Sequence, residues 1–110
     1  MAGQDERRRL PRRRTRLSIA VVWDDPAEYA RATVKDISEL GARLLLDEDA
    51  NTPDEFDVIQ LTAGVLHEAK VVWRAEPFIG VAFTRSVPLK GTTEPRLMKR
   101  AQLWIRLLGR

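Results

Sequence analysis

The side chains best placed to do chemistry lie in the segment Asp36-Ile37-Ser38-Glu39-Leu40-Gly41. Asp36 offers a carboxylate acceptor, and Ser38 a hydroxyl that both donates and accepts. Gly41 offers a place without Cβ, where a ligand's ring can approach the backbone. The same three residues also suit a plain turn, since Asp and Ser side chains bond nearby backbone groups and Gly permits positive φ. Upstream, residues 7–16 read Arg-Arg-Arg-Leu-Pro-Arg-Arg-Arg-Thr-Arg, seven arginines and no acid. By itself this run reads as a solvated basic tail for nucleic acid or an anionic surface. Leu10-Pro11 interrupts it, and Pro11 holds residue 10 extended. That favours a loop with a defined path.

The elements that position these residues are short strands. Leu17–Trp23 alternates, with Leu17, Ile19, Val21 and Trp23 on one face and Ser18, Ala20 and Val22 on the other. Asp24-Asp25-Pro26 ends it with turn chemistry. Residues 30–37 give a second strand, Ala42–Leu46 a third and Phe56–Leu61 a fourth. The acidic stretch 47–55 is a solvated loop. Val65–Ala75 is the longest strand, with Val65, His67, Ala69, Val71, Trp73 and Ala75 expected inward. Glu76-Pro77 turns the chain into Phe78–Phe83. Six short strands with turns between them predict a closed antiparallel barrel, which leaves no free edge. After a linker from Pro88 to Pro95, the tail from Arg96 is helical. Leu97, Ala101, Trp104, Ile105 and Leu108 form one apolar stripe, expected to pack against the barrel's open end. The division is thus a flexible Arg-rich tail over 1–16, a barrel over 17–87 and an amphipathic helix over 94–110.

With 110 residues the chain supports one small core. There is no Cys, which removes disulfides, thiolate catalysis and Cys-type zinc sites and fits a reducing, cytoplasmic setting. No secretory signal is evident, and the longest apolar segment, Leu17–Trp23, is too short to span a bilayer. The net charge of +3 is uneven: both ends are basic, and the body between them is acidic. A general nucleic-acid binder spreads positive charge over a face of its fold, so nucleic acid is not the expected partner. The pattern suits a small anion held against one edge by the N-terminal arginines. Catalysis is not expected. His67 is the only histidine and sits mid-strand among apolar neighbours, and no triad, HExxH or phosphate loop occurs. No catalytic residue, metal or cofactor is assigned.

Arg8-x-x-x-Arg12 in the arginine run, followed by a strand and then Asp36-x-Ser38-x-x-Gly41, resembles the PilZ domain, the bacterial receptor module for cyclic di-GMP. Val71-Val72-Trp73-Arg74 and Ile79-Gly80-Val81-Ala82-Phe83 look like that family's last two core strands. The resemblance covers roughly residues 6 to 85. It implies an all-β, six-stranded PilZ-like barrel with a C-terminal helix, acting as a non-catalytic receptor or adaptor with a downstream protein effector. It implies cyclic di-GMP as the ligand, bound by Arg8, Arg9, Arg12, Asp36, Ser38 and Gly41. Arg forks fit a phosphate or the O6/N7 edge of guanine and stack on a purine. Arg8 and Arg12 lie at most about 13 Å apart in an extended chain, so the pair can straddle one dinucleotide. Asp36 can accept from guanine N1–H and N2–H₂, and Ser38 can bond a phosphate or a base edge. Arg9/Arg13 and Arg12/Arg16 share the four-residue spacing. Binding would order the tail across the barrel. The alternatives are a PilZ-like barrel without nucleotide binding that serves as a protein adaptor, and a small basic nucleic-acid-binding barrel.

Overall fold

The middle of strand β1 (Arg13–Asp24), from Ile19 to Val22, is buried on both of its faces, and this sets the architecture. Ile19 and Val21 point one way, into a cluster with Ala32, Val34, Leu44, Phe56, Val58, Ile79 and Val81. Ala20 and Val22 point the other way, into a second cluster with Ile59, Leu61, Leu66, Leu89, Leu97 and Leu103. A strand whose two sides are both covered must lie between two layers. The first layer is the interior of a closed barrel; the second lies between the barrel's outer wall and a helix.

The computed structural model describes residues 13–24, 28–47 and 51–109. After β1 come β2 (Glu28–Ile37), β3 (Gly41–Leu46), β4 (Glu55–Gln60), β5 (Val65–Ala75), β6 (Phe78–Pro88) and helix α1 (Pro95–Leu107). The strands close in the order β1-β2-β3-β6-β5-β4, and every neighbouring pair is antiparallel. This is the six-stranded barrel that the spacing of apolar runs predicts. Two strands run further than expected. β1 begins at Arg13, four residues before its apolar alternation starts, because Arg13 and Arg14 pair with Ile37 and Asp36. β6 continues to Pro88, where the polar residues Arg85 and Ser86 still pair with Glu68 and His67.

The helix sits on the barrel's flank, over β1, β4 and β5, and not over its open end. Its phase also differs from the predicted stripe. Leu97, Arg100 and Leu103 are buried, Trp104 and Leu107 pack beside them, and Ile105 and Leu108 are exposed. The expected stripe excluded Arg100 because it is charged. Arg100 goes inward because a carboxylate meets it there: its Nε donates to Asp57 Oδ2 at 3.0 Å. Arg96 donates to the same oxygen at 2.6 Å and to Glu68 at 2.7 Å. Arg85 on β6 joins Glu68 and Glu94, extending the network to the helix start. The Arg85 hydrogen bond holds the exposed Glu94 carboxyl below its ordinary pKa. At the other end, the Trp104 indole N–H donates to Leu61 O at 2.7 Å. Its ring covers Gly64, which turns at φ +70° and has no room for a Cβ, since one would stand 2.5 Å from Trp104 Cζ2.

The Asp57–Arg100 pair has both side chains more than nine-tenths buried, unlike the exposed Arg85–Glu94 pair. Removing one buried partner strands the other charge, at a cost of about 3–5 kcal/mol. Asp57→Ala is therefore expected to lower stability by about 3 kcal/mol, read as a fall in the urea midpoint, whereas Glu94→Ala should leave the midpoint nearly where it is. Equal, small effects from both would show that the buried pair does not anchor the helix.

Candidate functional site

Asp36 reaches the outer wall because β2 breaks its own alternation. Val34 pairs with Leu44 and Asp36 pairs with Arg43, so two steps on β2 match one step on β3. The extra residue is Lys35, which makes this a β-bulge. Val34 and Ile37 both enter the interior cluster. With strict alternation Asp36 would share Val34's face and enter the apolar interior; with the bulge it leaves that face and stands beside Arg43, 8% exposed. There Arg43 Nε donates to Asp36 Oδ2 at 2.9 Å, and the Arg43 guanidinium carbon stands 5.2 Å from the Phe78 ring centroid. The guanidinium is thus held from two sides, by a carboxylate and an aromatic face.

A second bulge does the same for Trp73. Val71 pairs with Val81 and Trp73 with Gly80, leaving Val72 as the extra residue on β5. Trp73, expected inward, therefore lies outside, 42% exposed, with Ala75 also exposed. Its indole covers Gly80: a Cβ there would stand 2.0 Å from Trp73 Nε1. Glycine inside a strand marks such a close approach. The pairings now align Asp36, Arg43, Gly80 and Trp73 in one row across β2, β3, β6 and β5, and position 14 on β1 is in register with Asp36. At about 4.8 Å per strand, Asp36 and Trp73 are roughly 14 Å apart along the row.

The connection between β2 and β3 borders this row. Ser38 N–H donates to Gly41 O at 2.9 Å, and Leu40 N–H donates to Ser38 Oγ at 3.2 Å. The hydroxyl thus pins the turn, as the sequence suggests for Ser. Gly41 does not use the positive φ that a turn glycine would. Among the described glycines, positive φ occurs at Gly64, Gly91 and Gly109, and Gly41 is not one of them. A Cβ at 41 would stand 2.1 Å from Val81 O, so glycine is needed for β3 to lie against β6. Arg8, Arg9 and Arg12 lie outside the described residues. What the register fixes is where their segment enters: residue 13 pairs with Ile37 and residue 14 with Asp36.

A model of the PilZ domain family matches residues 6–91. The chain belongs to the PilZ domain family. The match spans the arginine run, the Asp36–Gly41 segment and the whole barrel, and it stops before α1. Among curated proteins, none matches the chain. PilZ domains are receptor modules for cyclic di-GMP and are generally non-catalytic. Among the described residues, no cluster of His, Asp and Glu could hold a metal ion. Nor, among the described residues, is any helix long and apolar enough to cross a membrane.

Sequence reasoning missed Arg43, Phe78, Gly80 and Trp73 as members of this surface. The signals were present. Val71-Val72-Trp73 is a run of three apolar residues, which strict alternation does not produce, and Gly80 stands mid-strand. His67, by contrast, lies where its apolar neighbours suggested, inside the barrel. It stacks on Phe83 at 4.1 Å between ring centroids. Its Nε2 meets Gln60 Oε1 at 2.5 Å and its Nδ1 meets Ser86 Oγ at 2.6 Å. Gln60 Oε1 can only accept, so the proton sits on Nε2 and Nδ1 accepts from Ser86. Burial lowers the His67 pKa to about 4.

Two outcomes follow. Gly41→Ala should destabilise by about 1–3 kcal/mol through forced separation of β3 and β6, seen as a lower thermal midpoint. For His67, the unfolded chain binds more protons than the folded one between about pH 4 and 6.5. Its contribution is complete above pH 6.5 and is lost as pH falls toward 4. Urea titrations of wild type and His67→Gln across pH 4–7 should differ in slope by roughly 2 kcal/mol in total. Parallel curves would contradict this account of His67.

Proposed function

We propose that this PilZ domain binds cyclic di-GMP on the outer wall of its barrel and signals as a non-catalytic receptor. The observation that carries this reading is the single row Asp36–Arg43–Gly80–Trp73, with the arginine segment entering beside Asp36. Each member has a task that guanine or phosphate chemistry needs. Arg43 orients Asp36 through one N–H···O bond. Asp36 is 8% exposed, and in this reading guanine N1–H and N2–H₂ meet the accessible edge of its carboxylate as the arginine segment closes. Trp73 offers an exposed indole face for a base, and Gly80 keeps the wall low beside it. Ser38 edges the site with its hydroxyl, and Gly41 keeps the turn close to the wall. Arg8, Arg9 and Arg12 supply the forks that close over the phosphates and the second guanine. Ordering this segment costs free energy, which sets the expected affinity near ~1 μM, about −8 kcal/mol. The change of surface that follows closure is the output.

Calorimetric titration with cyclic di-GMP tests this. Wild type is expected to bind. Arg12→Ala should weaken binding by about tenfold or more, and Arg13→Ala by under about threefold. Trp73→Ala removes one stacking face, worth about 1–3 kcal/mol, and should weaken binding by roughly tenfold to a hundredfold. Equal losses at Arg12 and Arg13 would overturn the assignment of the Arg8/Arg12 pair. No binding by wild type would overturn the reading as a whole.

A further inference from the structure

Helix α1 begins at Pro95, beyond the residues matched by the family, so the PilZ receptor role does not account for it. The helix carries two apolar faces. Leu97 and Leu103 are spent on the barrel. On the opposite side stand Met98 at 47% and Ile105 at 59% exposed, with Gln102 between them and Leu108 at the border, 40% exposed. The spacing 98, 102, 105 is i, i+4, i+7, which gives a continuous stripe. This stripe is one side of a groove of about 290 Å³ whose other side is the turn Leu89–Thr92. The groove floor is apolar, built from Leu89, Ala101 and Trp104. Its borders are cationic: Lys90 lines it, and Lys99 and Arg106 follow the far side of the stripe. The helix itself, Pro95–Leu107, contains no acidic residue.

We infer that this face docks an amphipathic helix of a partner protein, with a large apolar side chain seated in the groove and Asp or Glu on its flanks. The charges choose the occupant. A second copy meeting this face around a twofold axis would set Lys90, Lys99 and Arg106 against the same residues, like charge against like. A bilayer surface would cover the outer stripe without filling the groove. A helix with an acidic border complements Lys90 and Arg106 and fills the groove, which is the helix-in-groove mode of recognition. The barrel on one side and the helix on the other then divide the work: one wall reads the ligand, the other meets the protein.

The test uses the full chain and two synthetic three-heptad amphipathic peptides. Both carry Leu at the a and d positions; one has Glu at every e and g position, the other Lys. Fluorescence anisotropy should show binding of the Glu peptide, with the Lys peptide at least ~tenfold weaker. Ile105→Glu, an exposed change expected to leave the thermal midpoint unaltered, should weaken the Glu peptide by about tenfold or more. Lys90→Glu should weaken it as well, and should do so more at low than at high salt. Failure of the Glu peptide to bind, or equal binding of both peptides, overturns the inference. So does a concentration-dependent dimer abolished by Ile105→Glu, which assigns the face to a second copy. Capture by phosphatidylglycerol vesicles, lost in Ile105→Glu while the Glu peptide is ignored, also overturns it in favour of a lipid surface.

Discussion

A strand's side chains alternate with a period of two, and the outer wall of this barrel depends on residues that break that period. The interior is closed and filled: Ile19, Val34, Leu44, Val58 and Val81 are almost wholly inaccessible. Nothing of nucleotide size can enter, so any such ligand must lie outside. Strict alternation would place Asp36 and Trp73 among those core side chains, where a carboxylate would carry a heavy desolvation cost. One extra residue in β2 and one in β5 turn both outward, onto the same wall and into the same row. Bulges of this kind re-aim side chains next to functional surfaces. Here they act as a pair, with Arg43 and Gly80 as the rigid positions between them.

Barrel closure also fixes where the arginine segment arrives. Because β1 pairs with β2 as far as Arg13, the chain leaves the barrel directly beside Asp36. The second face of β1, with Ala20 and Val22, is covered by α1. Burying Leu97 and Leu103 there contributes about 2 kcal/mol each. The helix is registered by polar contacts, with Asp57 receiving Arg96 and Arg100, and Trp104 reaching Leu61 O. Apolar burial gives the helix its adhesion; the buried carboxylate and the indole bond fix its rotation. That rotation leaves Met98 and Ile105 outside.

Much of this was legible in the residues. Alternation in 17–23, turn chemistry at Asp24-Asp25-Pro26 and Glu76-Pro77, and close strand spacing gave six strands and closure. The Asp36-x-Ser38-x-x-Gly41 segment is a turn pinned by Ser38, as its chemistry suggests. What alternation could not show is where it fails. A rule of period two carried through Val71 put Trp73 and Ala75 inside, and only the pairing with Gly80 shows the extra residue. Turn chemistry at Gly41 suggests positive φ, whereas a carbonyl on the neighbouring strand, forty residues away, is what excludes a Cβ there. Amphipathic periodicity assigns Arg100 to solvent and so misphases the helix stripe. Its partner, Asp57, lies in another element, and no local pattern joins the two. Errors fell where tertiary partners, not local periodicity, decide the orientation.

The central claim is that the nucleotide lies on the wall that the two bulges create. Amide shift mapping by nitrogen–proton NMR, with cyclic di-GMP added to saturation, addresses it directly. The account predicts the largest shifts at residues 8–14, at 36–43 and at Trp73 and Gly80, while Leu97 and Leu103 stay unmoved. Shifts centred on α1 and the Leu89–Thr92 turn, with Asp36 and Trp73 silent, would contradict it.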